Sequence, residues 1–432
     1  MIKFDLQNLY KIVVKHGLSK SDFKSKSNLI SDYLKKIHAR KQGFYSVIDD
    51  ENVILGINNF AKSLEGEFQD IVILGIGGSA LGTICLQQSL KHLFENEFEE
   101  KGVPNLHVID NIDPELISAI EDIIDYEKTL FIVVTKSGTT PETLAQYFYF
   151  RKNCDDKNLD PKKHFVFITD PKNGLLRKIG KLEGIKTFDV PENVGGRFSV
   201  LTNVSLLPAK LIGINIEELL KGAKEMRDKF LSEKFEENLP FKLALIQFLL
   251  GKKGKIMDVL IPYSQRLIKF ADWYRQLLAE SIGKAKNEKR ETVNIGLTPI
   301  NALGATDQHS QSQLYNEGPN DKFFIFLNVE DLGGKIEIPN LSPNEESVKF
   351  LHKVDFGKLL HIEMQGTIQA LTKNDRPNII ITIPEVNEYY LGQLFMLFEG
   401  AIAFLGEFYG INAFDQPGVE LSKILTKELL GK

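Results

Sequence analysis

Cysteine is scarce in this sequence, and its scarcity excludes several kinds of protein. Only Cys85 and Cys154 occur among the 432 residues. They form no CxxC pair and stand at no zinc spacing with a histidine, so neither a disulfide framework nor a structural zinc site is indicated. We expect both thiols to behave as small hydrophobic groups inside the fold.

An excess of positive charge is missing as well. The 53 lysines and arginines are outweighed by 58 aspartates and glutamates, which leaves a net charge of −5. A nucleic acid or a membrane surface would require a concentrated basic face. Residues 1–17 lack the apolar segment of a signal peptide, and no uninterrupted apolar run approaches the roughly 20 residues that span a bilayer. We therefore expect a soluble cytoplasmic protein whose partners are neither nucleic acid nor membrane.

Short β-branched runs alternate with longer helical patterns, and this alternation predicts an α/β protein. The runs that read as strands cover residues 70–76, 106–110, 129–135, 164–169, 185–190, 255–263, 291–297, 322–329 and 376–384. They are largely apolar, as buried parallel strands are, and the segments between them are long enough for crossover helices. We predict two doubly wound parallel sheets.

The length of the chain predicts two domains, because 432 residues exceed what one hydrophobic core usually serves. We predict an N-terminal helical segment over residues 1–45, a first α/β domain over 46–212 and a second over 213–432 that ends in helices. No low-complexity linker separates the two halves, so we expect them to pack together with a cleft between them.

Two loops at the carboxyl ends of predicted strands are suited to bind a phosphate group. GIGGSALG covers residues 75–82, and TKSGTT covers residues 135–140. Glycine lets backbone N–H groups approach an anion closely, and the dipole of the helix that follows each loop adds to the attraction. A simple helix cap needs one or two hydroxyl groups, not four, so a small phosphate monoester is the favoured ligand. The candidate ligands are Gly78, Ser79, Thr135, Lys136, Ser137 and Thr140.

The first loop also fits a weaker alternative. Gly75, Gly77 and Ala80 match the GxGxxA pattern of dinucleotide-binding proteins. The acidic residue that accompanies this pattern lies about 20 positions further along, whereas the next predicted strand ends later, at Asp110. The dinucleotide hypothesis therefore stays open only as an alternative.

Candidates for the chemistry are a carboxylate and an imidazole. A predicted helix that ends at Gly283 carries Gln276 and Glu280 on one face. The negative end of the helix dipole disfavours charge on Glu280, which favours a role as general base. Thr306 is expected to cap a short helix that has His309 in its first turn. Either residue taken alone is more often structural than catalytic.

Two further stretches hold polar residues in unusual settings. Arg197 follows Gly195 and Gly196 in PENVGGRFSV, an uncommon environment for a surface arginine. INAFDQPGVELSK sets Gln416 and Lys423 seven residues apart, on the same side of a helix that starts between them. Neither stretch identifies a function by itself.

In order and wording, these stretches resemble the signatures of the phosphoglucose isomerase family. The resemblance runs from about residue 50 to the C-terminus, and GGRFSVLTNVSLLPAKLIG and FDQPGVELSK are highly specific to the family. The short chain and the wording ATDQHSQSQLY resemble the compact bacterial branch. TKSGTTPET departs from other branches at Gly138, where they carry a bulkier residue, and AESIGK has Ile282 where many members have asparagine.

The resemblance implies two sugar-isomerase (SIS) domains and an enzyme of glycolysis and gluconeogenesis that interconverts glucose 6-phosphate and fructose 6-phosphate. It implies that the two loops hold the phosphate and that Glu280 moves a proton between C2 and C1 through a cis-enediol. It further implies that His309 and Lys423 open the sugar ring. The other residues implied to contact the sugar or to stabilise charge on its oxygen are Gly196, Arg197, Gln276 and Gln416.

The resemblance also implies a homodimer with shared active sites, in which the histidine comes from the neighbouring chain. It implies neither a metal ion nor another cofactor. Two alternatives remain open on the sequence. A NAD-dependent dehydrogenase would use GIGGSA, although the TKSGTT cluster argues against it. A non-enzymatic SIS-domain sensor of sugar phosphates would need neither Glu280 nor His309.

Overall fold

The computed structural model describes residues 2–98 and 102–431. Its strands are β1 Lys3–Asp5, β2 Asp70–Leu74, β3 Asn105–Ile109, β4 Thr129–Val134, β5 Phe165–Thr169, β6 Lys186–Asp189, β7 Met257–Pro262, β8 Lys284–Lys286, β9 Thr292–Ile295, β10 Thr298–Asn301, β11 Lys322–Asp331 and β12 Asn378–Glu385. Its α-helices are α1 Gln7–Lys11, α2 Lys20–Lys24, α3 Ile30–Ala39, α4 Glu51–Ser63, α5 Leu81–Leu90, α6 Pro114–Glu121, α7 Pro141–Asp156, α8 Pro161–His164, α9 Leu175–Glu183, α10 Asn203–Leu211, α11 Ile216–Phe230, α12 Leu239–Lys252, α13 Ile268–Ile282, α14 Ser312–Glu317, α15 Phe356–Lys373, α16 Glu388–Tyr409 and α17 Glu420–Leu429. The 3₁₀ turns that bear on the site are Gly77–Ser79, Gly196–Phe198, Thr306–His309 and Pro417–Val419.

The first sheet contains five strands in the order β3-β2-β4-β5-β6, and all of its neighbouring pairs are parallel. β2, β4 and β5 are buried along their whole length, as continuous apolar runs predict for strands covered on both faces. All five strands lie where the sequence places them, to within two residues. The carboxyl ends of β2 and β4 are neighbours, so the two candidate phosphate loops meet at one edge.

The second sheet repeats this topology. Its order is β10-β7-β11-β12-β1, so β7, β10, β11 and β12 occupy the places that β2, β3, β4 and β5 occupy in the first sheet. The expected fold class of two doubly wound sheets is confirmed. β1 pairs antiparallel with β12 at the sheet edge. The first 45 residues are therefore not purely helical, and a strand of three residues is too short to produce a recognisable sequence period.

The predicted strand over residues 291–297 is wrong as a member of the second sheet. β9 instead pairs antiparallel with β8 in a separate two-stranded ribbon. Its residues alternate between exposed and half-buried positions, which suits a surface ribbon and not a strand covered on both faces. The place in the sheet is taken by β10, where Pro299 is tolerated because β10 pairs only with β7 at the edge.

The long helix α16 forms the centre of the helical layer beside the second sheet. Its residues 391–408 are all buried, and it packs against α11 and α12. By length and composition α16 is able to cross a membrane, but its apolar window is wholly buried inside the fold, as in the core helix of a globular protein. The predicted domain boundary near Gly213 falls between α10 and α11, and the domain limits stay a prediction.

Both cysteines are buried free thiols. Burial raises the pKa of Cys154 to about 12, so its thiol stays protonated and unreactive at neutral pH. The expectation that both residues act as small hydrophobic groups is confirmed.

A buried carboxyl group in β7 makes the stability of the fold depend on pH. Burial raises the pKa of Asp258 from 3.8 to about 7, and its Oδ2 accepts a hydrogen bond from Gln247 Nε2 at 2.6 Å. The folded-state pKa of Asp258 lies above its unfolded value, so proton binding by this carboxyl group stabilises the folded state. This contribution is fully present below the unfolded pKa and is lost as pH rises through the folded pKa of about 7. Between pH 5 and pH 8 the free energy of unfolding should fall by roughly 2–3 kcal/mol through this group.

Urea unfolding at pH 5, 6, 7 and 8 checks this prediction. The Asp258→Asn variant should lose that part of the pH dependence. Asp32→Asn, an exposed change on α3, should retain the wild-type dependence. An Asp258→Asn variant with the wild-type slope would show that the carboxyl group is charged at pH 5 in the folded protein.

Candidate active site

The hydroxyl groups of the TKSGTT loop converge at the carboxyl end of β4. Thr135 Oγ1 and Thr140 Oγ1 are 2.7 Å apart, and Ser137 Oγ lies 3.3 Å from each of them. Pro141 opens α7 directly behind this group, where its missing N–H has no cost and the helix dipole is positive. Three clustered hydroxyls at a helix N-terminus are suited to one tetrahedral anion.

The glycine at position 138 is required by a close contact with the neighbouring loop. Gly138 has φ +62°, and a Cβ atom there would lie 3.1 Å from the Cα atom of Gly174. Gly174, which follows β5, has φ +93° and its own Cβ would clash with Ser137. The departure from the wording of other family branches therefore has a local structural reason.

Ser79 brings a fourth hydroxyl to the same edge of the sheet. It ends the turn Gly77–Ser79 that follows β2. A Cβ atom on Gly75 would lie 3.1 Å from the Ser79 Cβ atom and 3.3 Å from the carbonyl oxygen of Val134, the last residue of β4. Ser79 therefore lies beside the point where the TKSGTT loop begins.

Lys136, the cation of the predicted phosphate site, is bonded to the backbone of another loop. Its Nζ donates to the carbonyl oxygens of Glu192 at 2.8 Å and Val194 at 2.7 Å. Burial lowers the pKa of Lys136. Two of the three N–H donors are thus used to tie the TKSGTT loop to the segment that leads into Gly195 and Gly196.

Two glycine loops touch where the phosphate region meets the remaining candidates. A Cβ atom on Gly78 would lie 2.3 Å from the carbonyl oxygen of Gly196, so only glycine permits this approach. Ser199 Oγ donates to the carbonyl oxygens of Gly196 at 2.6 Å and Gly78 at 3.3 Å. A Cβ atom on Gly77 would lie 2.9 Å from Gln276 Nε2. Gln276 therefore lies over the same turn.

The buried side chain of Arg197 occupies the centre of an ionic cluster. Its Nη1 lies 3.4 Å from Glu280 Oε2 and also donates to Gln416 Oε1. Its Nη2 donates to the carbonyl oxygens of Ala413 at 2.7 Å and Asp415 at 2.9 Å. Only 1% of the Arg197 side chain is exposed, against 30% of Glu280. Burial lowers the pKa of Arg197 and the two acidic neighbours oppose this shift, yet a guanidinium stays protonated at any physiological pH.

Helix α13 presents Glu280 in its last turn, as the sequence predicts. The helix ends at Ile282 and is followed by Gly283. Gln276 Nε2 donates to Glu280 Oε1 at 3.1 Å, so the two residues share one face as their spacing indicates. One carboxylate oxygen is thus held by an amide and the other faces Arg197, which fixes the position of a potential proton acceptor.

Sequence reasoning does not identify two further residues of this cluster. Ser281 Oγ accepts a hydrogen bond from Arg197 Nε at 2.7 Å. Lys284 Nζ donates to the carbonyl oxygens of Glu280 and Asp415, each at 2.7 Å. Both side chains are buried. For Lys284, the only signal in the sequence was its position two residues after the end of α13. A lysine just beyond the last turn of a helix is placed to bond the last carbonyl groups.

His309 lies outside the cluster in this chain. It is the last residue of a 3₁₀ turn capped by Ala305, so the prediction of a helix capped by Thr306 with His309 in its first turn is wrong. Asp307 accounts for the difference, because its Oδ2 accepts the backbone N–H of Leu303 at 2.7 Å and closes a tight turn. The His309 side chain is exposed.

Lys423 also lies outside the cluster. Its Nζ forms an exposed ion pair with Glu420 Oε1 at 2.8 Å. Because α17 begins only at Glu420, after a 3₁₀ turn, Gln416 and Lys423 do not share a helix face as expected. Gln416 instead bonds Arg197. Within residues 2–98 and 102–431, no three His, Cys, Asp or Glu side chains are grouped so that they could hold a metal ion.

Comparison with known sequences identifies one family. The profile of the phosphoglucose isomerase family matches residues 50–330 and 346–432. The chain is 43% identical to the glucose-6-phosphate isomerase of Carboxydothermus hydrogenoformans, with 100% of this chain and 95% of the relative covered. It is 34% identical to the glucose-6-phosphate isomerase of Methanocaldococcus jannaschii, with 100% of both chains covered. The match therefore extends over the whole chain and not only over its motifs.

Solved structures agree on the fold. A hypothetical protein from Thermus thermophilus superposes with a TM-score of 0.90 at 33% identity, with 100% of both chains covered. A glucose-6-phosphate isomerase from Chlamydia trachomatis superposes with a TM-score of 0.84, with 99% of this chain and 91% of that chain covered. The second pair is only 22% identical, so it shows a shared fold and no more.

Proposed function

Because this chain belongs to the phosphoglucose isomerase family, we propose that it interconverts glucose 6-phosphate and fructose 6-phosphate in glycolysis and gluconeogenesis. The two relatives are named glucose-6-phosphate isomerase, and each of them matches the full length of this chain. A dehydrogenase and a non-enzymatic sensor, the two alternatives left open on the sequence, are not favoured by these relatives.

The observation that carries the proposal is the contact between a candidate base and a buried cation beside a hydroxyl cluster. Glu280 Oε2 lies 3.4 Å from Arg197 Nη1, and Gln276, which donates to Glu280, lies over the turn Gly77–Ser79. Phosphate binding at the hydroxyls fixes the sugar at a point remote from its reacting carbons. That binding energy then positions C1 and C2 beside the carboxylate.

The chemistry requires one proton to move between adjacent carbons. Glu280 takes the proton from C2 of the open-chain aldose, and the electrons of the C2–H bond form the C1–C2 double bond of a cis-enediol. The electrons of the C1 carbonyl group move onto its oxygen, where Arg197 and Gln416 stabilise the negative charge. In the second half of the reaction the hydroxyl proton on O2 is transferred to O1, and the electrons that it leaves on O2 form the C2 carbonyl group. The electrons of the C1–C2 double bond take the proton back from Glu280 at C1, which gives the ketose. This route uses no redox partner and no metal ion.

Ring opening is assigned to His309 and Lys423, and we propose that a homodimer supplies the histidine. The exposed positions of both side chains support this arrangement, because neither bonds Glu280 or Arg197 within the described chain. Helix α17, which carries Lys423, is exposed along its whole length. Its apolar side chains Leu421, Ile424, Leu425 and Leu429 are 46–90% exposed, which supports their burial against a second copy of the chain.

A coupled assay with fructose 6-phosphate in the presence of EDTA tests the proposal. We expect full turnover to glucose 6-phosphate, which glucose-6-phosphate dehydrogenase converts with formation of NADPH. Lack of turnover by folded protein would contradict the isomerase proposal, and turnover that EDTA abolishes would contradict its metal-free chemistry.

We also propose a cytoplasmic location, which the two buried free thiols support.

Loss of the phosphate-binding hydroxyls should weaken substrate binding. Ser137→Ala combined with Thr140→Ala removes two members of the hydroxyl cluster. The expected loss is about 2–4 kcal/mol, the value of two charge-assisted hydrogen bonds. It should appear as a large rise in KM for fructose 6-phosphate, measured by initial rates, and as weaker competition by sulfate or a sugar-acid phosphate.

Thr139→Ala is the matched control for this double variant. It removes a hydroxyl group of the same loop. The Thr139 hydroxyl donates to Ser137 Oγ at 3.2 Å, and it is not among the proposed phosphate ligands. Its KM should stay close to that of the wild type. An unchanged KM in the double variant would mean that the TKSGTT loop is structural.

A further inference from the structure

Lys284 is a buried lysine beside the candidate base, and its burial needs a physical reason. Only 5% of its side chain is exposed, whereas Lys286, two residues further along β8, is exposed. An ammonium group is unfavourable in the interior unless its N–H groups are bonded. In agreement, burial lowers the pKa of Lys284, and the nearby Arg197 lowers it further.

The ammonium group of Lys284 joins two segments of the site. Its Nζ donates to the carbonyl oxygen of Glu280, in the last turn of α13, and to that of Asp415, each at 2.7 Å. The Asp415 carbonyl oxygen also accepts from Arg197 Nη2 at 2.9 Å. Lys284 and Arg197 therefore share an acceptor, and the backbone of the base is linked to the loop that carries Gln416.

This link constrains the part of α13 that the helix itself constrains least. Carbonyl groups in the last turn of a helix have no intrahelical partner, so the last turn is the part most easily displaced. Glu280 lies in that turn. A proton acceptor displaced by about 1 Å can lose on the order of 100-fold in rate, because the transfer depends on alignment.

We propose that Lys284 is a positioning residue for the proton transfer. It holds the last turn of α13 against residues 413–416, so that Glu280 keeps its position relative to Arg197 and Gln416. The inference rests on the proposed isomerase function. Lys284 Nζ bonds the backbone at Glu280 and Asp415 and lies 3.5 Å from Asp415 Oδ1, and none of these partners belongs to the hydroxyl cluster at the end of β4. Its loss should therefore affect turnover much more than phosphate binding.

Lys284→Met tests the inference, because it keeps most of the length of the side chain and removes the ammonium group. We expect kcat to fall about 10- to 100-fold while KM for fructose 6-phosphate changes less than about 3-fold. Lys284→Arg should recover part of kcat. Lys286→Met, the exposed control on the same strand, should match the wild type. Far-UV circular dichroism and Tm establish that each variant is folded.

A second measurement separates positioning from a general effect on stability. In the Glu280→Gln background, Lys284→Met should lower the residual rate by less than about 3-fold, because Lys284 acts through Glu280. If Lys284→Met does not fold, Lys284→Gln serves in its place. Wild-type kcat in a folded variant, or an equally large loss in both backgrounds, would overturn the inference. Absence of isomerisation in the wild type would instead refute the proposed function, a separate result of the same assay.

Discussion

Replacing Glu280 with glutamine is expected to remove isomerisation while leaving substrate binding nearly intact. The amide keeps the shape of the side chain, and its Oε1 can still accept the hydrogen bond from Gln276 Nε2 that is 3.1 Å long in the wild type. It cannot take a proton, so the loss belongs to the chemical step. We expect kcat to fall by roughly 100-fold or more with little change in KM.

Isotope exchange identifies the step that is lost. Tritium from the solvent should enter the product of the wild-type enzyme at C2 or C1 and should hardly enter with the Glu280→Gln variant. Glu65→Gln, an exposed substitution distant from the cluster in sequence, should match the wild type in both measurements. A Glu280→Gln variant that keeps most of its turnover and its tritium exchange would remove Glu280 from the mechanism.

The strands of the first sheet were predictable because the central ones are buried along their whole length. β2, β4 and β5 are covered on both faces, and such strands must be apolar at every position, which leaves a clear signal. Their order then determines which loops are neighbours. The alternation of strands and helices predicts that TKSGTT and GIGGSALG both follow carboxyl ends of strands, whereas the strand order that makes the two loops neighbours is given by the structure.

The second half was less predictable because its elements have mixed environments. β9 alternates between exposed and half-buried residues and lies outside the main sheet, and β10 contains Pro299, which argues against a strand in sequence patterns. The turn at His309 is determined by a hydrogen bond from the Leu303 N–H to Asp307. The sequence patterns that predict the start of a helix do not include such a bond.

The ionic cluster could not be predicted from local sequence patterns, because its residues are far apart in the chain. Glu280 and Arg197 are 83 residues apart in sequence, and Gln416 lies 219 residues beyond Arg197. Only the family resemblance places such distant residues in one site, and the contacts of Arg197 now join three of them. Lys284 and Ser281 lack comparable signatures, since a lysine or a serine at a helix end is usually a cap. Their places in the cluster become visible only through their contacts with Arg197 and Glu280.

The largest expected recovery of activity comes from mixing two inactive variants. The proposed homodimer places Glu280 and Arg197 of one chain in the same site as His309 of the other chain. Glu280→Gln and His309→Ala chains, each inactive alone, are unfolded together and refolded as an equal mixture. In a mixed dimer one site collects both lesions, and the other receives an intact glutamate and an intact histidine. With random pairing, activity should recover to roughly a quarter of the wild type.

A second mixture provides the matched control. Glu280 and Arg197 belong to the same chain, where Oε2 and Nη1 are 3.4 Å apart. A mixture of Glu280→Gln and Arg197→Lys chains therefore has a lesion in every site, and its activity should stay at the average of the two variants. Native mass spectrometry of the refolded samples establishes that mixed dimers are present. If the first mixture contains mixed dimers and recovers no more activity than this control, each site draws its histidine from its own chain and the shared-site proposal is refuted.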